Sequence, residues 1–489
     1  MNELSQRTHT IMAAVLVCVI GVFYLTTIRE GHVWGDDQCA YIHHARNIVE
    51  GREYGDTGFI RSPTSIAPLM YPPVFPLLLV PVYRCSGAEL APMKSEVIVF
   101  FCLALYLFYV AMRRNGNQWA SLWAIAVVGF CPYFWDFKDI LYAEFPFLTF
   151  TYGALLAATC ATDMQCSGAK RILLGAAVGV LSCLAFGTRT VGIVLIPAVV
   201  FHDVVVRRKP TWFSAASIVS FAAGTALLRL LFKTHSDYLA SYLNALSVRA
   251  LVASPVYYLK CFSVLWDNGY SGVPQGTLYI LVSVLALYGG WVRLRTRQWC
   301  VVDVFAVFYF LLIALFPWGG RRYLMPVVPV YVFYSLLGLD TASGQHTRRR
   351  CLILRGGAVA AIVLCFMAKY TTVNWTEVPS SFDRPETRQL MNYVRDQIAP
   401  DGTVVFRKPR FMAFYSGAKA AGCYEDEDDD VLAYYRRIGV SHVVVSRVFS
   451  EEKERFLIGF IKSNAASFER TFDNADFSVY RIQVPSSTR

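Results

Sequence analysis

The chain has 489 residues, of which 55% are hydrophobic, 15% aromatic and only 17% charged, with a mean hydropathy of +0.41. That balance excludes an ordinary soluble domain and predicts a polytopic α-helical membrane protein. A formal net charge of +11 does not argue for nucleic acid, because the basic residues are scattered between apolar runs instead of gathered on one soluble face.

Runs of about 17 to 22 apolar residues, each able to cross about 30 Å of hydrocarbon as a helix, predict about eleven spans. They are 11–28, 95–112, 118–135, 146–163, 171–187, 190–206, 212–232, 277–293, 301–318, 323–340 and 352–371. No small-x-small cleavage site follows the first run, "IMAAVLVCVIGVFYLTTI", which therefore reads as a retained anchor. The stretch 72–83, "PPVFPLLLVPVY", is short and carries Pro72, Pro73, Pro76 and Pro81, so it is expected to be re-entrant or interfacial.

Arg113 with Arg114, Lys170 with Arg171, Arg207 with Arg208 and Lys209, Arg293 with Arg295 and Arg297, and Arg348 to Arg350 fall in every second connection. The positive-inside rule then makes these loops and the N-terminus cytoplasmic. It sends 29–94, 136–145, 188–189, 233–276, 319–322 and everything from about 372 onward to the outside. Of the 13 cysteines none forms a CxxC pair, so neither a zinc site nor a disulfide framework is indicated. Cys39 and Cys85 share the first outer loop, which leaves a bridge between them open.

From 372 to 489 the apolar runs shrink to strand length. A helix over 384–398, "TVVFR" at 403–407, a helix over 429–438, "HVVVS" at 442–446, a helix over 451–464 and strands near 467–473 and 477–482 predict a separate C-terminal extracytoplasmic α/β domain. The run "EDEDDD" at 425–430 lacks the alternating ligands and glycine of a calcium loop and reads as acids at a helix N-terminus. Lys408 and Arg410 read either as anion ligands or as surface residues.

Charges on the outer side need a reason other than orientation. The first loop has Asp36, Asp37, Arg46, Arg52, Glu53, Asp56 and Arg61, and the second has Asp136, Lys138, Asp139 and Glu144. Arg189 sits in the minimal connection "GTRTVG", and Arg321 and Arg322 sit in "PWGGRRYLMP", at depths where ionisable groups are functional candidates. Arginine forks match phosphate oxygens, and a carboxylate can take a proton from an acceptor hydroxyl. Together they suit a sugar carried on a polyprenyl phosphate. The plainer readings are that Asp36 and Asp37 cap the helix they precede and that the arginines snorkel. His43 and His44 are adjacent and cannot share a helix face, so they read as solvent- or substrate-facing rings and not as a metal pair.

The order of these features resembles the GT-C type membrane glycosyltransferases, specifically the bacterial relatives of protein O-mannosyltransferase and of the lipid A aminoarabinose transferase (glycosyltransferase family 39-like). The resemblance rests on "WGDDQCAYIHHARNIVEGREY", "SPTSIAPLMYPPVFPLLLVPVY" with Val74 in place of the usual glycine, "LYAEFPFLTF", "TRTVGIVLIPA" and "RRYLMPVVPVYVFY". The tail strings "RKPRFMAFYSGAKA" and "LAYYRRIGVSHVVVS" are similar to an outer domain of some bacterial members.

The resemblance implies a GT-C transmembrane glycosyltransferase domain over 1–371, with the acidic motif in the first outer loop. It implies inverting transfer, on the extracytoplasmic side of a bacterial cytoplasmic membrane, from a polyprenyl-phosphate sugar to a lipid, glycan or protein acceptor. Asp36 or Asp37 would be the general base, with Asp36 slightly favoured because Asp37 directly before a helix also suits an N-cap, and Glu144 would be catalytic or acceptor-positioning. Arg189, Arg322, Arg321, Lys138, Arg61 and Tyr323 would bind the lipid phosphate and sugar. The resemblance makes no cofactor certain, and a divalent cation stays open because family members differ over it. The rival readings are a transporter or lipid-binding protein for an anionic substrate, and a non-catalytic scaffold on the same fold.

Overall fold

The computed structural model describes residues 3–63, 68–115, 117–162, 167–208, 211–233, 248–270, 272–316, 319–344, 348–424 and 430–483. The helices of the apolar part are α1 (Glu3–Thr26), α2 (Asp36–Glu50), α3 (Val74–Ser86), α4 (Leu90–Asn115), α5 (Gln118–Gly129), α6 (Pro132–Phe137), α7 (Glu144–Ala161), α8 (Gly168–Thr188), α9 (Leu195–Phe201), α10 (Trp212–Phe232), α11 (Val248–Cys261), α12 (Gly272–Arg295), α13 (Val301–Ala314), α14 (Val328–Gly344) and α15 (Arg348–Tyr370).

Every predicted span carries helix, but only six helices among the described residues are long and apolar enough to cross a membrane by length and composition: α1, α4, α8, α10, α12 and α15. The run 118–135 divides at Cys131, because Pro132 cannot donate into a continuing helix and instead starts α6. The run 190–206 is a composite of a 3₁₀ turn (Thr190–Val194), α9 and a π turn (His202–Val206). The proline-rich stretch expected to be re-entrant or interfacial is helical, α3, with Pro81 inside it and Val74, Phe75, Pro76 and Leu79 buried. Proline at its N-terminal end costs a helix nothing, since the first turn's N–H groups have no intrahelical partner.

The faces turned away from the bundle are apolar. Leu230, Val273 and Leu287 are about three-quarters exposed, which suits hydrocarbon and would be an aggregation surface in water. With lipid on that side, helices gain by close packing. Gly289 of α12 and Gly338 of α14 do this: a Cβ at Gly289 would lie 2.1 Å from the Tyr334 carbonyl oxygen, and one at Gly338 would lie 2.1 Å from that of Leu285.

Beyond α15 come α16 (Pro385–Gln397), α17 (Pro409–Ser416), α18 (Val431–Arg437) and α19 (Glu451–Ser463). They alternate with β2 (Thr403–Val405), β3 (Lys419–Ala421), β4 (Val440–Ser446), β5 (Phe468–Asp473) and β6 (Phe477–Ile482). The sheet order is β1-β3-β2-β4-β6-β5, with β1, β3, β2 and β4 parallel to their neighbours and the β4-β6-β5 edge antiparallel. Strand β1 (Phe59–Ile60) comes from the first loop, so this loop completes the tail's sheet.

Trp34, also in that loop, is buried among Phe382, Phe406, Phe411, Phe449 and Phe477, with ring centroids 4.8–6.2 Å away. A second tie is ionic. Arg29 bridges Asp136 and Asp139, at 2.7 Å each, and carries its guanidinium 4.7 Å from the Trp135 ring. Cys39 is buried, Cys85 is exposed and both are free thiols, so the open bridge is not made. Of the acidic run, residues 425–429 lie outside the described residues. Asp430 caps α18, its Oδ1 accepting from the Ala433 N–H at 2.9 Å.

Candidate functional site

Four helix ends converge beneath the tail. The N-terminus of α2 supplies Asp36 and Asp37, the N-terminus of α7 supplies Glu144, the residue closing α8 is Arg189, and a 3₁₀ turn over Arg321–Leu324 supplies Arg322. Arg189 is held there by a tight reversal. It is extended (φ −147°), and Gly192 folds back so closely that a Cβ would be 2.7 Å from the Ala185 carbonyl carbon and the Phe186 nitrogen. Only glycine fits that approach.

The charges form one chain. Arg189 donates to Glu144 Oε1, and Arg322 Nε lies 3.3 Å from the same oxygen. Arg322 also donates through Nη2 to Asp37 Oδ2 at 2.9 Å. Tyr rings orient both forks: Arg189 lies 4.9 Å over Tyr323, and Arg322 lies 4.5 Å over Tyr142 and 5.7 Å over Tyr323. Cation–π contacts of this kind are worth about 1 kcal/mol and fix the plane of the guanidinium. Glu144 Oε2 is buried and has no hydrogen-bond partner among the described residues, whereas Asp37 and Arg322 keep about a fifth to a quarter of their side-chain surface open, 20% and 27%. The chain thus ends in groups with unused capacity.

The two aspartates do different things. Neither caps α2, whose N-cap is Gly35 with no side-chain cap bond. Asp36 Oδ1 accepts the backbone N–H groups of Arg410 and Phe411, at 3.0 and 3.1 Å, and so holds the first turn of α17. Asp37 turns the other way, toward Arg322, and its Oδ1 accepts the Tyr71 hydroxyl at 2.6 Å. Burial pushes the Asp36 carboxyl above its ordinary pKa, and Arg410 and the Phe411 N–H offset this only in part. Burial acts on Asp37 as well, but Arg322, Arg410 and Tyr71 more than reverse it and hold that carboxyl below the usual range.

Of the other sequence candidates, Tyr323 lies with the group through its ring. Arg321 is exposed beside it. Arg61 is half-buried next to β1. Lys138 is elsewhere: fully buried, its Nζ donates to Asp139 at 2.6 Å and stands 4.3 Å over the Trp135 ring. His43 and His44 do not face solvent. Both are buried, and His44 spans the first loop, with Nδ1 2.8 Å from the Tyr54 carbonyl and Nε2 accepting the Tyr71 N–H at 3.3 Å. Sequence reasoning missed Tyr71 and Tyr142 and left Arg410 undecided. Arg410 is 3% exposed, donates to the Tyr71 hydroxyl at 3.0 Å and to the Pro68 carbonyl, and lies 3.8 Å from Asp37 Oδ1. Its only sequence signal was a basic residue just inside a Pro-started helix.

Among the described residues no three or more His, Cys, Asp or Glu side chains gather as a metal-ligand set. Asp36, Asp37 and Glu144 are each engaged by arginine or backbone N–H groups.

No protein-family model matches the chain, and no curated protein matches it. Solved structures do. ArnT from Cupriavidus metallidurans bound to undecaprenyl phosphate aligns over 96% of this chain and 98% of its own, with a TM-score of 0.60 at 13% identity. The Archaeoglobus fulgidus oligosaccharyltransferase in complex with zinc and sulfate aligns over 90% of this chain and 68% of its own, with a TM-score of 0.62 at 12% identity. The archaeal oligosaccharyltransferase AglB from the same organism, with an inhibitory peptide and dolichol-phosphate, covers 91% and 70%, with a TM-score of 0.61 at 11% identity. The chain has the GT-C fold. At these identities the likeness speaks for the fold, and the charged chain at the helix ends belongs to this chain's own geometry.

Proposed function

We propose that the protein is an integral-membrane glycosyltransferase that moves a sugar from a polyprenyl-phosphate carrier to an acceptor nucleophile, with inversion. The observation that carries this reading is the Arg189–Glu144–Arg322–Asp37 chain, on a fold shared with structures that hold undecaprenyl phosphate and dolichol-phosphate. Asp37 is the general base. It is partly open and aligned with Arg322, while Asp36 is occupied by the tail's backbone. Asp37 takes the acceptor's proton, the freed lone pair attacks the anomeric carbon, and the bond from that carbon to the phosphate oxygen breaks. The lipid phosphate leaves with the electron pair, and Arg322 and Arg189 hold the negative charge as it grows there. Glu144 keeps both forks aimed. Arg321, exposed at the rim, receives the incoming headgroup.

In this reading residues 1–371 form the transferase domain and the tail is an extracytoplasmic α/β domain. The spans number about eleven, the N-terminus is cytoplasmic, and the acceptor is a lipid, glycan or protein of the envelope.

The test uses membranes supplied with a labelled polyprenyl-phosphate sugar. Asp37→Asn loses transfer by about a hundredfold or more, the usual worth of a positioned base, at unchanged protein level. Asp36→Asn loses less. Equal activity of Asp37→Asn and the native protein would refute the assignment of the base. Single cysteines placed in 385–480 react with impermeant reagents from outside, and labelling from the cytoplasm alone would refute the orientation.

A further inference from the structure

The tail does more than sit above the bundle, because one of its arginines reaches into the charged chain. Helix α17 begins at Pro409 and is fastened by its first N–H groups to Asp36. This sends the Arg410 side chain inward, where it is 2% exposed, stacked between Phe59 and Tyr71 at 4.5 and 4.8 Å. From there it donates to the Tyr71 hydroxyl, and the Tyr71 hydroxyl donates in turn to Asp37 Oδ1 at 2.6 Å.

We propose that Arg410 is a positioning residue of the transfer reaction: acting through Tyr71, it fixes the Asp37 carboxylate in line with Arg322, which makes the tail a working part of the centre. The proposal rests on the glycosyltransfer reading for its reaction, though not for its geometry. Tyr71 is oriented as a donor toward Asp37 because its oxygen already accepts from Arg410. Arg410 can only donate, so its bond to the Tyr71 oxygen leaves the Tyr71 hydrogen for the carboxylate. The arginine stands 3.8 Å from the carboxylate oxygen, close enough to favour the ionised form directly.

The groups facing Asp37 are Arg322 from the 3₁₀ turn, Glu144 behind it on α7, Tyr142 before α7, Tyr41, Cys39 and Asp36 on α2 itself, Tyr71 from the first loop, and Arg410 from α17. Glu144 and Asp36 oppose ionisation of Asp37, and Arg322 is shared with Glu144. Arg410 is the cation that this carboxylate gains only when the tail is docked.

The test reads the protonation of Asp37 without relying on turnover. Full-length protein in nanodiscs is treated with dicyclohexylcarbodiimide, which adds to protonated carboxyls, between about pH 2 and 7, and labelled Asp37 is quantified by peptide mass spectrometry. In Arg410→Gln the labelling midpoint rises by about one pH unit. Arg410→Lys restores part of the shift, and Arg388→Gln, at an exposed tail pair with Asp383, leaves it unmoved. Tyr71→Phe removes the relay while leaving the Asp36 bonds to the first turn of α17 in place, shifts the midpoint in the same direction, and decides the matter if Arg410→Gln releases the tail. A midpoint unmoved in Tyr71→Phe, or in an Arg410→Gln protein whose tail stays protease-resistant, overturns the proposal. In the transfer assay the acidic limb of the rate moves with the labelling midpoint. A native protein inert toward polyprenyl-phosphate sugars would overturn the reaction assigned here while the labelling shift stood, so the two failures are distinguishable.

Discussion

Asp139 is the residue whose loss the structure prices most clearly in stability. Its carboxylate is completely buried and accepts the Arg29 backbone N–H at 3.0 Å, Arg29 Nε at 2.7 Å and Lys138 Nζ at 2.6 Å, with Lys94 Nζ 4.0 Å away. The substitution Asp139→Asn keeps the shape, opens no cavity and removes the charge. It leaves the buried Arg29 and Lys138 with Asp136 alone, whose side chain is 58% exposed. Breaking a buried ion pair from one side costs about 3–5 kcal/mol. Two hydrogen bonds from charged donors, at about 1.5–3 kcal/mol each, give the same range independently. Against a total of about 5–15 kcal/mol for a folded protein, that is enough to lower yield sharply. Purified protein in detergent, unfolded by heat or by titrated dodecyl sulfate, should show the variant unfolding well before the native chain. Adding Lys138→Met to Asp139→Asn should recover part of the loss, because it removes one of the stranded cations. If Asp139→Asn unfolds with the native protein and loses only transfer, the network is part of substrate binding and the reasoning fails.

Two further outcomes follow from neighbouring groups. Burial lowers the Lys138 ammonium from 10.5 to about 8, against the pull of Asp139. Between those values the unfolded chain binds the extra proton, so stability rises with pH across that window. A pH series of unfolding midpoints for the native protein against Lys138→Met should show that difference, and identical pH dependence would refute it. Trp34→Ala empties the aromatic cage beneath the tail and should cost about 3–5 kcal/mol, read as faster protease cleavage within 385–480. Trp34→Phe should cost much less, because the indole Nε1 is buried without a hydrogen-bond partner among the described residues, and equal losses would mean that this nitrogen matters.

The apolar helices were legible because hydrocarbon imposes a length and a composition that the chain cannot hide. Their ends were less so. Pro132 divides one run and Pro326 and Pro329 precede or open another, and whether proline breaks a helix or starts one depends on which N–H groups are already free. In the tail, "TVVFR", "HVVVS" and the last two strands were readable from β-branched alternation. Helix α17 and strands β1 and β3 were not: two of them are three residues or fewer, and β1 pairs with a segment some 360 positions away, which no local pattern records. Asp37, Glu144, Arg189 and Arg322 could be singled out because orientation did not explain their charge. Tyr71 and Tyr142 could not, since a tyrosine among apolar residues reads as core until its hydroxyl is seen to face a carboxylate.

Two of the buried charged clusters among the described residues, those of Arg29 with Asp139 and of Arg322 with Glu144, are similar in composition and differ in how far their hydrogen bonds are closed. In the Arg29–Asp139 cluster both Asp139 oxygens are taken, the ammonium of Lys94 finds the Arg29 and Gly31 carbonyls at 2.7 Å each, and the exposed surface is that of Asp136. Such a network can only hold loops together, and adding a ligand would mean breaking it. In the Arg322 cluster Glu144 Oε2 is sealed from water with no partner among the described residues, and Asp37 and Arg322 stay partly open. An unfilled acceptor in a dry place costs about 1–3 kcal/mol. On the proposed function, the hydroxyl of a sugar or of an acceptor is the donor that fills it. Charge in the membrane's shadow drew attention to both clusters, and the proposed function places the substrate at the one whose hydrogen bonds are left unmade.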